Sequence, residues 1–244
     1  MDNILMAGLS RQVALLRQVD ALANNIANAS TNGFKAEFIV EQPITRPPAS
    51  SSVGPHDVVF NSTNVLLRDF GQGSLQQTGR DFDVALEGKG FFSVQTPNGI
   101  FYTRDGAFSL EANGKLVTST GASVLSDAGS EIVVPIGTQS VKIMRDGTVQ
   151  ADETIVGKLG VFTVPDEQKL VPMGGNLFAP GPQTATPTST SILQGAIEGS
   201  NVQPVLQMTK LLEASRNYEA LTRAMRAEED LRSRAIQKLS GTSQ

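Results

Sequence analysis

Cysteine is absent from all 244 residues. That excludes disulfides, thiol catalysis and cysteine-ligated metal sites. Tryptophan is absent too, and aromatic residues make up only 5% of the chain, too few to lead one to expect a large aromatic core. The single histidine, His56, stands beside Pro55. A zinc site would then rest mostly on carboxylates, an unusual donor set. A lone histidine in an irregular segment reads as a surface residue rather than a general base, which needs partners. No basic surplus exists: the net charge is -4, which argues against nucleic acid as a partner. No apolar run approaches the roughly 18 residues that suggest a membrane span. The start, MDNILMAGLSRQ, has neither the basic leader nor the cleavage site of a secretory signal. The expectation is a soluble chain, unless a route other than the secretory one carries it out of the cytoplasm.

What is present divides the chain into helical ends and a β-rich middle. Residues 4–28 contain no proline, and Gly8 is their only glycine. Leu5, Leu9, Leu16, Val19, Ala23 and Ile26 follow steps of three and four, a heptad-like stripe interrupted by Gln12. Met6, Val13, Leu15 and Leu22 lie off it, and an apolar stripe wider than one seam implies more than one helical neighbour. Gly33 suits the left-handed residue just past a helix end or in a tight turn. Near the other terminus Asn201 reads as an N-cap, with Pro204 in the first turn. Leu211, Ala214, Tyr218, Leu221, Met225, Ala235 and Leu239 then share one stripe. Glu219–Arg223, Glu228–Arg232 and Asp230–Arg234 each place the acid four residues before the base, the better orientation on a helix. A helix over 202–239 would be about 57 Å long at 1.5 Å per residue, so a partner along its length is expected. An intrachain pair of the two helices would be antiparallel.

Between them, residues 91–95 and 100–104 flank TPNG, a hairpin signal. Turn dipeptides recur at Asp105-Gly106, Asn113-Gly114 and Asp146-Gly147, between short apolar runs. Strands at this spacing predict an antiparallel β domain. Residues 41–57 hold four prolines and read as extended or irregular, and 180–191 as a polar loop. The predicted class is α+β: a discontinuous, coiled-coil-like helical domain formed by both terminal helices, with an antiparallel β domain inserted. The expected segments are 1–40, a connector over 41–80, the β domain over 81–195, and 196–244. Chemistry is scarce. Gly88-Lys89-Gly90 lacks the spacing and hydroxyl of a phosphate loop and reads as a turn. Asp81 and Asp83 stand two apart, on one face if extended, yet acids near turns are usually solvated. No catalytic, cofactor or metal residues are assigned.

Four asparagines crowd ANNIANASTNGFK at the first helix's end, although asparagine is a poor helix former. Polar groups at a seam can fix register, and at a helix end they satisfy orphan carbonyls. LANNIANASTNGFKA, over residues 22–36, resembles the N-terminal signature of flagellar basal-body rod and hook proteins. Ala23, Asn24, Asn25, Ile26, Ala27 and Asn28 match its helical part, and Thr31, Gly33, Phe34 and Lys35 its turn. The segment DVALEGKGFF and onward is similar to the family's β domain, and EGSNVQPVLQMTKLLEASRNYEA to its second helical signature. QGAIEGSNV and AMRAEED are closer to proximal-rod than to distal-rod members. Leu206-Gln207 departs from an acidic pair found in many relatives.

The resemblance implies a non-enzymatic structural subunit that polymerises helically through its terminal helices. The assembly would be the rod, a drive shaft around an export channel that transmits torque from motor to hook. It implies a periplasmic location in the basal body, reached through the flagellar type III export apparatus without a cleaved signal. The partners implied are copies of itself, other proximal-rod proteins and the distal-rod protein. The terminal segments would order on assembly. Interface residues are expected at Leu5, Leu9, Leu16, Val19, Ala23, Asn24, Asn25, Ile26, Asn28, Leu211, Tyr218, Leu221, Met225 and Leu239. The alternatives are a distal-rod or hook-like subunit, a monomeric β binding module, and a muramidase-like enzyme. The last would need a cleft glutamate and aromatic sugar platforms that a chain with no Trp and two Tyr offers poorly.

Overall fold

A computed structural model describes residues 2–43 and 62–240. The chain divides into two compact units. The first gathers three separated stretches: α1 (Asp2–Ala27), the paired strands β1 (Glu37–Pro43) and β2 (Ser62–Arg68), and α2 (Pro204–Ser240). The second holds residues 28–36 and 68–202. The mixture of helix and antiparallel strand is α+β, as the sequence predicts. Both helices begin and end within two residues of the expected bounds. His56 and most of the proline-rich stretch 41–57 lie outside the described residues. Within the expected connector over 41–80, the described part carries strands, β2 among them. Ser62, Thr63 and Asn64 open β2, and such polar strand starts leave little hydrophobic pattern to read.

In the first unit α1 and α2 run antiparallel. Asn25 meets Gln207 near one end, Gln12 Nε2 donates to Tyr218 Oη at 3.0 Å further along, and Gly8 lies against Met225 near the other end. A Cβ on Gly8 would come to 3.3 Å from the Met225 sulfur, so the small residue lets the helices approach closely. Among the described side chains, α1 buries Ala14, Leu15, Ala21, Leu22 and Asn25, and α2 buries Ala214. Pro204 opens α2, where its missing N–H costs nothing. Asn201 does not cap that helix. Its side chain instead accepts from Ala36 N at 2.7 Å and donates to the carbonyls of Asp69 and Gly71.

The second unit is a β structure built on hairpins. Its strands are β3 (Leu75–Gln77), β4 (Val84–Glu87), β5 (Phe91–Thr96), β6 (Gly99–Thr103), β7 (Phe108–Leu110), β8 (Leu116–Thr118), β9 (Ser123–Val124), β10 (Val141–Ile143), β11 (Thr148–Ala151), β12 (Thr154–Lys158), β13 (Val161–Thr163), β14 (Val171–Gly174), β15 (Leu177–Ala179), β16 (Thr186–Pro187), β17 (Ser191–Gln194) and β18 (Ala196–Glu198). The largest sheet runs β14-β15-β6-β5-β9-β8-β7, with β13 and β16 joined to it through β5. A second sheet is β10-β11-β12, and the pairs β17–β4 and β18–β3 bring the end of the unit back to its start. TPNG does turn β5 into β6, with Val94 opposite Phe101 and Thr96 opposite Gly99. Gly99 has φ 126°, a conformation open to glycine.

Strand β5 is buried on both faces. Phe92 and Val94 enter the main core with Val84, Leu86, Phe108, Leu116 and Val124. Phe91 points to a second cluster with Tyr102, Leu170 and Phe178. Phe70, Phe91 and Phe178 meet edge to face at centroid distances of 5.7 to 6.1 Å, and Phe92 meets Phe108 in the same way at 5.3 Å. Overall aromatic scarcity therefore conceals a local aromatic cluster, because the few rings are concentrated around one sheet.

Candidate assembly site

The asparagines of the signature serve as backbone substitutes. Asn25 is fully buried. Its Oδ1 accepts from Glu37 N at 2.8 Å, and its Nδ2 donates to Glu37 O at 2.6 Å and to Gln207 at 3.4 Å. One amide thus satisfies both backbone groups of a residue at the start of β1, as a neighbouring strand would. Asn24 donates to the Glu37 carboxylate at 3.1 Å. Asn28 accepts from the Thr31 hydroxyl at 3.2 Å and from Thr31 N through its own carbonyl at 3.1 Å, closing the turn after α1. Asn25→Ala is expected to cost about 1–3 kcal/mol, because Glu37 N–H and C=O lose their partner in a buried place. Thermal unfolding together with amide exchange at Glu37 would check this.

Beyond that turn, in the second unit, the signature builds a clasp. Gly33 has φ 66° and donates its N–H to Glu198 O at 2.7 Å. A Cβ there would fall 2.5 Å from the Arg104 backbone, so glycine is required for both conformation and space. Lys35 is entirely buried and reaches Glu198 Oε1 at 2.5 Å and Gly71 O at 2.8 Å. Arg104 Nη1 holds the other carboxylate oxygen at 3.1 Å, and Gly73 N donates to Oε1 at 2.9 Å. The Arg104 guanidinium carbon lies 5.2 Å from the Phe91 ring centroid, a cation–π contact. Burial holds the Lys35 ammonium below its ordinary value, against the upward pull of Glu198. Two cations therefore share one buried carboxylate. The clasp joins the segment leaving α1 to the segment that leads back to α2.

Next to it, burial pushes the Asp105 carboxyl above the ordinary carboxylate value, although Ala107 N donates to it at 3.0 Å. Its charged form then costs stability at neutral pH. That cost is relieved as pH falls through the raised folded value towards the ordinary one. Asp105→Asn is expected to raise the unfolding midpoint at pH 7, with the gain shrinking on acidification across that window. Denaturation curves of both proteins across pH would show it.

The helices carry the other half of the candidate site. On α2 the predicted stripe is the face turned towards α1: Leu211, Tyr218, Leu221 and Met225 are half-buried. On α1 the division differs from a single seam. Ala14, Leu15, Ala21 and Leu22 are buried within the unit, whereas Leu9 and Leu16 of the expected stripe are exposed, Ala23 is exposed, and Val19 and Ile26 are half-buried. The side chains of Leu5 and Leu239 lie outside the described residues. At 100° per residue, Leu9, Val13 and Leu16 stand on the side of α1 opposite its buried face. The signature turn residues Thr31, Gly33, Phe34 and Lys35 are held within the second unit, the last three buried.

Among the described residues, the acidic pair and glycine turn singled out by the sequence do not form a catalytic grouping. Asp83 is buried and Asp81 exposed, so the two do not act as a pair. Gly88-Lys89-Gly90 is the turn between β4 and β5. Among the described residues no cluster of three acidic or histidine side chains is arranged to hold a metal, and no helix is long and apolar enough to cross a membrane. Two grooves flank β1 along α1, of about 450 Å³ and 420 Å³. The first is lined by Arg17, Asp20 and Glu37 among others, and the second by Arg11, Glu37, Lys210 and Glu213 among others, so both hold charges of both signs.

Comparison with known proteins follows the same map. Residues 5–35 match the family described as flagella basal body rod protein, residues 85–151 the flagellar hook protein FlgE/F/G D1 domain, and residues 193–238 the flagellar basal body rod FlgEFG protein C-terminal. The flagellar basal-body rod protein FlgF of Caulobacter vibrioides is 40% identical over 98% of each chain. FlgF of Mesorhizobium japonicum is 34% identical over the whole of both. The rod protein FlgG of Buchnera aphidicola from Acyrthosiphon pisum is 31% identical over 91% of this chain and 92% of its own.

Proposed function

Because the chain belongs to the flagellar basal-body rod protein family, we propose that this structural subunit occupies the proximal rod and polymerises helically through its terminal helices. In this reading α1 and α2 form a coiled-coil-like wall around the export channel, and the β-rich unit is carried as an insertion. Copies of the chain, other proximal-rod proteins and the distal-rod protein are its neighbours. It reaches the periplasmic rod through the flagellar type III export apparatus, without a cleaved secretory signal.

One observation supports this above the rest: α1 has two apolar faces, and among the described residues only one of them is covered. A self-contained hairpin has no use for Leu9, Val13 and Leu16 in solvent, whereas a subunit in a helical wall does. The identity to FlgF proteins, at 40% and 34% over nearly the full length, favours the proximal over the distal rod. The test is to delete the gene and purify basal bodies. Loss of motility with rods truncated near the base, restored by the intact chain, is expected. Complete rods in the deletion strain would refute the placement.

A further inference from the structure

Asparagine is followed by glycine three times, at Asn32-Gly33, Asn98-Gly99 and Asn113-Gly114. At such a step the glycine nitrogen can attack the asparagine side-chain carbonyl, because no Cβ on the glycine shields it. The attack needs a nitrogen released from hydrogen bonds, an amide able to swing, and room for a ring to close. Asn32-Gly33 lacks these. Gly33 is buried, its N–H is held by Glu198 O at 2.7 Å, and the Arg104 backbone packs against it. Asn113-Gly114 lacks them as well. Gly114 is buried and donates to Glu111 O at 2.9 Å. The Asn113 amide is tied at both ends: it accepts from Lys115 N at 2.9 Å and donates to the Glu111 carboxylate at 3.1 Å.

Asn98 is placed differently. It is exposed at the tip of the TPNG turn, and Gly99 is half-buried with nothing within 4 Å of where a Cβ would stand. The Asn98 backbone N–H donates to Thr96 Oγ1 at 3.2 Å, but among the described residues its side-chain amide has no partner. Gly99 stands opposite Thr96 in the last rung of the β5–β6 hairpin, where local opening costs least. The Thr96 carbonyl also accepts from Gln95 Nε2 at 2.8 Å, so it keeps a partner when that rung opens. We propose that Asn98 is a site of spontaneous covalent modification, closing on the Gly99 nitrogen and reopening with water to an aspartyl or isoaspartyl residue. In the first step the bond from Gly99 N to Asn98 Cγ forms and the Cγ–Nδ2 bond breaks. The Gly99 nitrogen gives up its proton, and ammonia leaves. Water then cleaves the cyclic imide on either side of its nitrogen. Cleavage at Cγ gives the aspartyl form. Cleavage at the backbone carbonyl carbon gives the isoaspartyl form, which routes the main chain through the side chain and lengthens the turn. Both products add a negative charge at the tip. The rung of Val94 and Phe101 lies beyond it, so the modified chain keeps its core.

The test is to age the purified full chain in mildly alkaline buffer, which favours loss of the glycine N–H proton, and to digest samples at intervals. A sample digested at once sets the zero. Mass spectrometry then reads each asparagine–glycine step separately. The Asn98 peptide is expected to gain about 1 Da, the exchange of an amide for an acid, and to split into two chromatographic forms. Asn32 and Asn113 should lag by about tenfold or more while the chain is folded, because their glycine nitrogens are released only when buried structure opens. In urea the three steps should react at similar rates. An unchanged Asn98 in the folded chain, equal rates at all three steps in the folded chain, or the same lag of Asn32 and Asn113 persisting in urea would overturn the proposal.

Discussion

Replacing Glu198 with alanine is expected to destabilise the β-rich unit by about 3–5 kcal/mol, a large part of the 5–15 kcal/mol typical of a folded domain. Among the described residues Glu198 is the one carboxylate bonded to both Lys35 and Arg104, and both cations are buried with it. Its loss leaves two uncompensated charges and an orphaned Gly73 N–H. Glu198→Gln keeps an acceptor for Gly73 but removes the charge, and should fall between wild type and alanine. Lys35→Met should cost less than Glu198→Ala, because it removes one of two buried cations and leaves Arg104 paired. Urea unfolding of the three variants gives the ranking. Equal costs would mean that the clasp acts through packing alone.

Leu16→Asp should abolish incorporation into the rod and leave the free subunit folded. Leu16 is 43% exposed, so a carboxylate there remains solvated in the monomer. Buried against a neighbour's apolar stripe it would lose that solvation without gaining a partner, which costs several kcal/mol per ion. Leu221→Asp should block assembly too, but for a different reason: Leu221 is half-buried on the face turned towards α1, so the helical pair itself weakens. Circular dichroism of the purified variants separates the two cases. Motility and normal rods in the Leu16 variant would count heavily against the interface.

The helix limits and the β5–β6 hairpin were legible because local chemistry decides them: no proline within α1, Pro204 at the start of α2, a glycine after TPN. Gly33 was legible for the same reason. The clasp was not. Lys35 and Glu198 are 163 positions apart, and no local pattern announces that a lysine will be buried. Asn25 stood out as an oddity, yet its partner is the Glu37 backbone, which carries no side-chain signal. Asn201 had the residue type of a cap, but tertiary hydrogen bonds claimed its amide. On α1, periodicity found apolar positions without revealing which side the chain would cover, since Leu15 and Leu16 are chemically alike and point to opposite fates.

Amide hydrogen exchange on the free subunit, beside the same subunit in purified rods, tests the central claim most directly. The account predicts that α1 and α2 gain strong protection on assembly, most of all around Leu9–Leu16, while the core strands β4, β5 and β6 are equally protected in both. Helices as protected in the free subunit as in the rod would contradict it, for they would then form a finished hairpin with no face reserved for a neighbour.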